Sequence, residues 1–269
     1  MYHGIAAGAL PANGHRVHVT RAAFAEQMSW LRSEGYRPVS LAELDEQTND
    51  DSDVRPRVAI TFDDGFRSAL TLAAPILQAH GFTATAFVVS DWAEGATARE
   101  GHRPSLRPAG ADLLHEDQVM SWPEVAQLRD AGWDIGSHTC SHADCSALTA
   151  DALARELRES RALIMERLGV VPQALAYPRG RYCAGAVALA RAYYRAAYAV
   201  HPGRSVDARF AFRRHRIEIN AADTLARFRA KVLTGHAGRG ERLRSAVRDQ
   251  LFGSLRLHDA LVNRSTVPT

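Results

Sequence analysis

Val58-Ala59-Ile60-Thr61-Phe62-Asp63-Asp64-Gly65 is the stretch on which the fold turns. Its first five residues are a short apolar run of β-branched and aromatic type, which predicts a buried strand. The run ends abruptly on two adjacent carboxylates and a glycine. Residues 67–80 follow with helical spacing. Gly81 supplies a stop, and Pro75 predicts a kink or restart inside that helix. Residues 84–89 read as the next strand.

The same alternation extends in both directions. Residues 20–34 form a predicted helix with Phe24, Met28 and Leu31 on one face, stopped by Gly35. Residues 91–117, rich in Gly, Pro and Arg, read as a long loop. Beyond it come a helix over 122–131, a brief strand over 133–135 and a clear helix over 149–168. In that last helix Leu153, Leu157, Ile164 and Leu168 form a stripe, Thr149 is the N-cap and Gly169 follows the end. Residues 174–177, 196–200 and 216–219 complete the strands, and the chain from Asp223 onward is helical and Arg-rich. Alternating strands and helices in 269 residues fit an α/β layer or barrel in one domain, 1–269, with 221–269 as a carboxyl-terminal helical segment.

Composition narrows the class. With 46% hydrophobic and 23% charged residues the chain is neither disordered nor collagen-like. A net charge of +3 on 33 basic and 30 acidic residues is too balanced for an electrostatic nucleic-acid binder. No apolar run reaches the ~18 residues of a membrane span. The Arg-rich tail, with Arg227, Arg229, Arg239, Arg242, Arg244 and Arg248, reads as a solvated face or as a peripheral contact with an anionic surface. The amino terminus lacks a basic leader and does not read as a signal peptide. Three cysteines suit a reducing compartment. The expectation is therefore a cytoplasmic protein, unless an export segment precedes this sequence.

The candidate chemistry sits after two strands. Asp63 and Asp64 either N-cap the following helix or form an acidic site at a strand end, where parallel α/β folds carry their chemistry. Neighbouring strand residues point in opposite directions, so a local turn must bring both carboxylates to one place. Gly136-Ser137-His138-Thr139-Cys140-Ser141-His142 again follows a strand. Histidines at i and i+4 can share a helical face and grip one metal. One Asp and two His make three ligands with open positions, the arrangement of a hydrolytic site. Cys140 and Cys145 interleave with these histidines, but no remote second pair exists, so they read as packing residues rather than a structural zinc site.

These motifs resemble the polysaccharide deacetylases of the NodB-homology group, carbohydrate esterase family 4. TFDDG and the H-S/T-x-x-H pattern are its first two motifs, and Ala176-Tyr177-Pro178-Arg179-Gly180 corresponds to its third, usually RxPYG. The likeness covers most of residues 56–220. The start of the chain, with Tyr2-His3 and residues 24–41, resembles the branch containing the poly-N-acetylglucosamine deacetylases, in which the barrel is circularly permuted.

The resemblance implies a distorted (β/α) barrel of seven strands and a hydrolase acting on an N-acetylated sugar, polymer or conjugate. It implies a divalent metal on Asp64, His138 and His142, zinc first, with cobalt or nickel able to serve. Asp63 would be the general base, His3 the acid that protonates the amine, and the Arg179 backbone N–H an oxyanion donor. Tyr177, Pro178 and Trp122 would line the substrate. Two departures stand out. Ala176 occupies the place of an arginine that orients the base, a role passed here to Arg214, and Arg179 replaces an aromatic residue. Hydrolysis of another N-acyl or cyclic amide, or a silent carbohydrate-binding relative, are the alternatives. The loop carrying Arg99, His102, Arg103 and Arg107 reads as a solvated segment or as a lid for an anionic substrate.

Overall fold

The Thr20 hydroxyl caps the first long helix by accepting the Ala23 N–H at 3.2 Å. This is a computed structural model, which describes residues 1–10, 17–45, 54–98, 118–200 and 211–237. Strand β1 (Ile5–Ala6) pairs in parallel with β2 (Val19–Thr20), which leads into α1 (Arg21–Ser33). Strand β3 (Arg37–Pro38), helix α2 (Leu41–Asp45) and β4 (Arg57–Val58) follow, with β3 and β4 parallel.

The central sheet then forms in sequence order from β5 (Thr61–Phe62), β6 (Thr85–Val88), β7 (Asp134–Ser137), β8 (Ala174–Ala176) and β9 (Ala196–Tyr198), all parallel. Its helices are α3 (Ala74–Ala79), α4 (Ser90–Ala98), α5 (Trp122–Asp130), α6 (Ala150–Leu168), α7 (Ala184–Tyr193) and α8 (Leu225–Thr234). Among the described residues no helix is long and apolar enough to cross a membrane.

Two further segments close the sheet on itself. The Tyr2 N–H donates to Thr61 O at 2.8 Å and Asp63 N–H to Tyr2 O at 2.9 Å, so the start of the chain lies beside β5. On the far edge, Arg214 N–H donates to Ala197 O at 2.9 Å and Ala199 N–H to Arg214 O at 2.8 Å. The same segment then reaches the first residues, Ile219 N–H donating to Met1 O at 3.0 Å. Tyr2, β5 to β9 and the segment from Arg214 to Ile219 thus form a ring of seven extended segments, a distorted (β/α) barrel. Its start serves as a barrel strand, as circular permutation requires.

Side-chain alternation divides the core. Phe62, Ala86, Val88 and Ile135 point outward and pack with Phe24, Met28, Leu31, Leu77, Val125, Leu128 and Ile164 of the surrounding helices. Leu175, Tyr177 and Ala197 point outward against Leu153, Leu157, Ala186 and Ala190. Inside the ring lie Phe87, Ala174, Ala176, Ala196 and Tyr198. The interior is tight at one level: a Cβ on Gly136 would stand 2.5 Å from the Phe87 ring.

The break expected at Pro75 is present: a π-helical turn at Ala69–Ala73 precedes α3, where Pro75 has no N–H to donate to the preceding turn. Elsewhere the structure departs from the sequence expectation. Residues 91–98 are helical rather than loop. The Ser90 and Asp91 N–H groups donate to Thr139 O and Cys140 O, and Trp92, Ala93 and Ala96 are buried, so docking supports a segment of weak local signal. Residues 216–219 form no strand ladder among the described residues; they meet the start of the chain where the Met1 amino group donates to Ile217 O at 2.9 Å and Ile219 N–H to Met1 O at 3.0 Å. Arg99, His102, Arg103 and Arg107 and the tail from residue 238 lie outside the described residues.

Candidate active site

Strand β5 ends at Phe62, and the next two residues diverge sharply. Asp63 keeps the strand direction, and its side chain enters the barrel beside that of Thr61. Asp64 adopts φ 71°, followed by Gly65 at φ 74°. This left-handed turn cancels the strand alternation and brings both carboxylates to one site. Four non-glycine residues have positive φ among those described, Asp64, Thr139, His142 and Arg179, and all four belong to the three motif loops. Such conformations cost on the order of 1–3 kcal/mol each and persist where the surroundings over-determine them.

Asp64, His138 and His142 place one ligand atom each within 4.8 Å of one another, all buried. Asp64 Oδ1 stands 3.3 Å from Nε2 of both His138 and His142. None of these contacts has hydrogen-bond geometry, which leaves that buried oxygen without a partner. The His138 Nδ1 lies 2.7 Å from Ala176 O, and since a carbonyl only accepts, Nδ1 carries the proton and Nε2 presents its lone pair to the site. A carboxylate oxygen and two imidazole nitrogens facing a common point are a donor set that suits a zinc-like divalent cation. The histidines do not share a helix. His138 ends β7 and His142 sits in the following loop at φ 61°, with ring centroids 5.0 Å apart.

Asp63 is held separately. Arg216 Nη1 donates to its Oδ1 at 2.6 Å and Nη2 to its Oδ2 at 2.7 Å, and Nη1 also reaches Thr61 Oγ1 at 3.2 Å. The guanidinium lies over the Phe87 ring, 5.1 Å from its centroid. Burial pushes the Asp63 carboxyl up, but the Arg216 charge and hydrogen bonds prevail and hold it below the usual carboxylate value. Burial also raises Asp64, and the two histidines facing it, together with the His3 charge, take it well below. His138 Nε2 is 3.9 Å from Asp63 Oδ2, so the base candidate and the ligand set are neighbours.

The arginine on Asp63 is Arg216, which corrects the sequence assignment to Arg214. The backbone of Arg214 is still bonded to β9, while two residues further the segment has crossed toward Met1 and β5, where Asp63 lies. The methyl of Ala176 is inside the barrel and leaves that interior to the Arg216 guanidinium. The substrate-lining assignments are also corrected. Tyr177 is fully buried with its hydroxyl donated to Phe212 O at 3.1 Å, and Trp122 is buried with its indole N–H on Glu94 at 2.7 Å. Pro178 is buried as the first residue of the 3-10 turn Pro178–Gly180. The apolar surfaces of Tyr177 and Trp122 are spent on the core.

His3 follows Tyr2, whose carbonyl accepts the Asp63 N–H, so it lies beside the carboxylates, and a positive charge on it stabilises both. Its Nδ1 is buried without a partner. Arg179 is exposed at the rim. Two supports were not anticipated from sequence. The Trp92 ring stacks on His142 with centroids 5.2 Å apart, and Glu156 on α6 accepts the Cys140 and Ser141 N–H groups at 2.9 and 3.0 Å, anchoring the ligand loop. Glu156 carried a sequence signal only as an acidic position on a helix.

Comparison with known proteins gives a consistent picture. The profile of the family described as polysaccharide deacetylase matches residues 50–197, more than half of the chain. The chain is 26% identical over 183 residues to the putative polysaccharide deacetylase YxkH of Bacillus subtilis (strain 168), covering 68% of this chain and 56% of that protein. It is 31% identical over 123 residues to the poly-beta-1,6-N-acetyl-D-glucosamine N-deacetylase of Escherichia coli (strain K12), covering 45% of this chain and 17% of that one. The chain thus spans about half the length of the first relative and a small part of the second. Among solved structures, the Streptococcus pyogenes deacetylase PplD in complex with acetate aligns with a TM-score of 0.70 at 22% identity, over 88% of this chain and 96% of that one. The polysaccharide deacetylase BC0361 from Bacillus cereus aligns at 0.68 and 23% identity, over 86% and 67%. These structural likenesses speak for the fold.

Proposed function

The chain belongs to the polysaccharide deacetylase family, and from that premise we propose that it is a metal-dependent hydrolase that removes the acetyl group from an N-acetylated sugar, polymer or conjugate. The observation that carries this reading is the convergence of Asp64, His138 and His142 beside a second carboxylate, Asp63, that is fixed by Arg216.

Asp64, His138 and His142 would hold the divalent cation. Bound there, such a cation supplies a Lewis acid that polarises the amide carbonyl and eases deprotonation of water. The chain's own groups do the rest. Asp63, ionised and oriented by the bidentate Arg216, accepts the proton from the attacking water. The Arg179 N–H, on its turn of positive φ, is the donor for the oxygen that gains charge as the carbonyl becomes tetrahedral. His3 gives a proton to the departing nitrogen. The C–N bond breaks, and acetate and the free amine leave with one water consumed.

Acetate release by the metal-reconstituted protein tests the proposal. Neutral N-acetylglucosamine oligomers of different linkage, sugar phosphates and small acetylated amines would be compared, each with a chelator control. Chelator-sensitive acetate supports it. Ring opening of a cyclic amide without acetate would move the chain to another amide hydrolysis. Metal binding with no turnover of any substrate would make it a silent carbohydrate-binding relative.

A further inference from the structure

Resting on the deacetylase reading of this site, we infer that Arg179 selects substrates carrying an oxyanion, a phosphate or a carboxylate, beside the reacting acetamido group. The guanidinium springs from a turn that cannot drift. Gly180 N–H donates to Tyr177 O at 2.8 Å, Arg181 N–H to Pro178 O at 3.1 Å, and Tyr177 N–H to Tyr198 O at 2.9 Å. A Cβ added at Gly180 would fall 2.4 Å from the Val200 nitrogen, so the turn is in direct contact with the segment that leaves β9. The base of the Arg179 side chain is therefore fixed beside the ligand set, between Ala176, whose carbonyl accepts from the His138 ring at 2.7 Å, and Arg181, which pairs at 3.0 Å with Asp144 of the loop that carries His142.

Among the described residues, the nearby carboxylate of Asp144 is already engaged. Asp144 Oδ1 accepts from the Ser146 N–H at 3.0 Å and hydroxyl at 2.6 Å, and Oδ2 pairs with Arg181 Nη1 at 3.0 Å. Arg179 is exposed and makes no ion pair among the described residues. The charges within the site leave it attractive to an anion. Asp63 is cancelled by Arg216, and a divalent cation held by Asp64 and two neutral histidines would leave a net positive centre beside a guanidinium that has no ion pair among the described residues. A planar guanidinium matches phosphate or carboxylate through two parallel N–H donors, which a sugar hydroxyl cannot accept equally well.

The experiment measures kcat/KM of the metal-loaded protein for three substrates: N-acetylglucosamine 1-phosphate, an N-acetylated hexosaminuronic acid and a neutral N-acetylglucosamine oligomer. One or both anionic substrates should be preferred by about tenfold or more, the range of a hydrogen bond to a charged group. Which of the two is preferred identifies the oxyanion. Arg179→Gln should bring the anionic-to-neutral ratio close to one, Arg179→Lys should retain part of it, and added salt should lower it in the wild type only. Equal use of all three by the wild type, or a ratio unchanged by Arg179→Gln, overturns the inference while leaving the deacetylase reading intact. Absence of acetate from every substrate counts against that reading instead. Calorimetric binding of glucosamine 1-phosphate against glucosamine, in wild type and Arg179→Gln, then decides the role of Arg179, and equal binding overturns it.

Discussion

Arg216 and Asp63, 153 residues apart in sequence, meet through two parallel hydrogen bonds of 2.6 and 2.7 Å inside the barrel. The pair joins the segment that closes the ring to the strand that carries the acidic motif. Both side chains are buried, so neither charge tolerates loss of the other.

Arg216→Met should therefore destabilise the protein by about 3–5 kcal/mol, the range for an orphaned buried charge. The double variant Arg216→Met with Asp63→Asn should recover part of that loss in thermal or denaturant unfolding. The pH dependence has a definite sign. The folded Asp63 carboxyl lies below its usual value, so the pair's contribution is fully present above an unfolded value of about 3.9 and disappears as pH falls through the folded one. In acid unfolding, the wild type and the Arg216→Met variant should converge.

The two adjacent carboxylates should separate by function. Asp63→Asn should keep the metal, read by elemental analysis after dialysis, and lose about 10²–10⁴ in kcat. Asp64→Asn should lose the metal itself. His3→Gln should behave as Asp63→Asn does, with metal retained and kcat reduced. Loss of metal from the Asp63 or His3 variants would reassign them to the ligand set.

Gly136→Ala places a methyl 2.5 Å from the Phe87 ring, in an interior that also holds the Arg216 guanidinium. Overpacking of this kind costs about 1–3 kcal/mol. The expected result is a lower unfolding midpoint, and a second change, Phe87→Leu, should restore part of it. A neutral Gly136→Ala would mean that the ring has room to move.

Burial pushes the Cys140 thiol up to about 12 and the Cys145 thiol up to about 12. At pH 8 the thiolate fraction of each is about 10⁻⁴. In the native protein, a disulfide reagent should label the half-buried Cys183 first, and the other two should react only on unfolding. Rapid labelling of all three would contradict the packing of the loop around His142.

Local patterning carries much of the fold. The alternation of apolar runs with helical stripes depends on neighbours in sequence, so the helices over 20–34, 122–131 and 149–168 coincide with α1, α5 and α6 to within a residue or two. The residue types of TFDDG and of the histidine pair narrowed the chemistry available, and taken alone they left the two carboxylates open to an N-cap reading as well as to a metal site. The tertiary structure decided which groups meet. The partner of Asp63 is Arg216 rather than Arg214 because the closing segment leaves one strand and joins another between those positions. Tyr177 and Trp122 are core residues because burial depends on which face of the ring each side chain takes. Asp64, Thr139, His142 and Arg179 hold left-handed backbone that their own side chains disfavour. Such conformations arise from long-range contacts around the ring, which sequence patterning cannot specify.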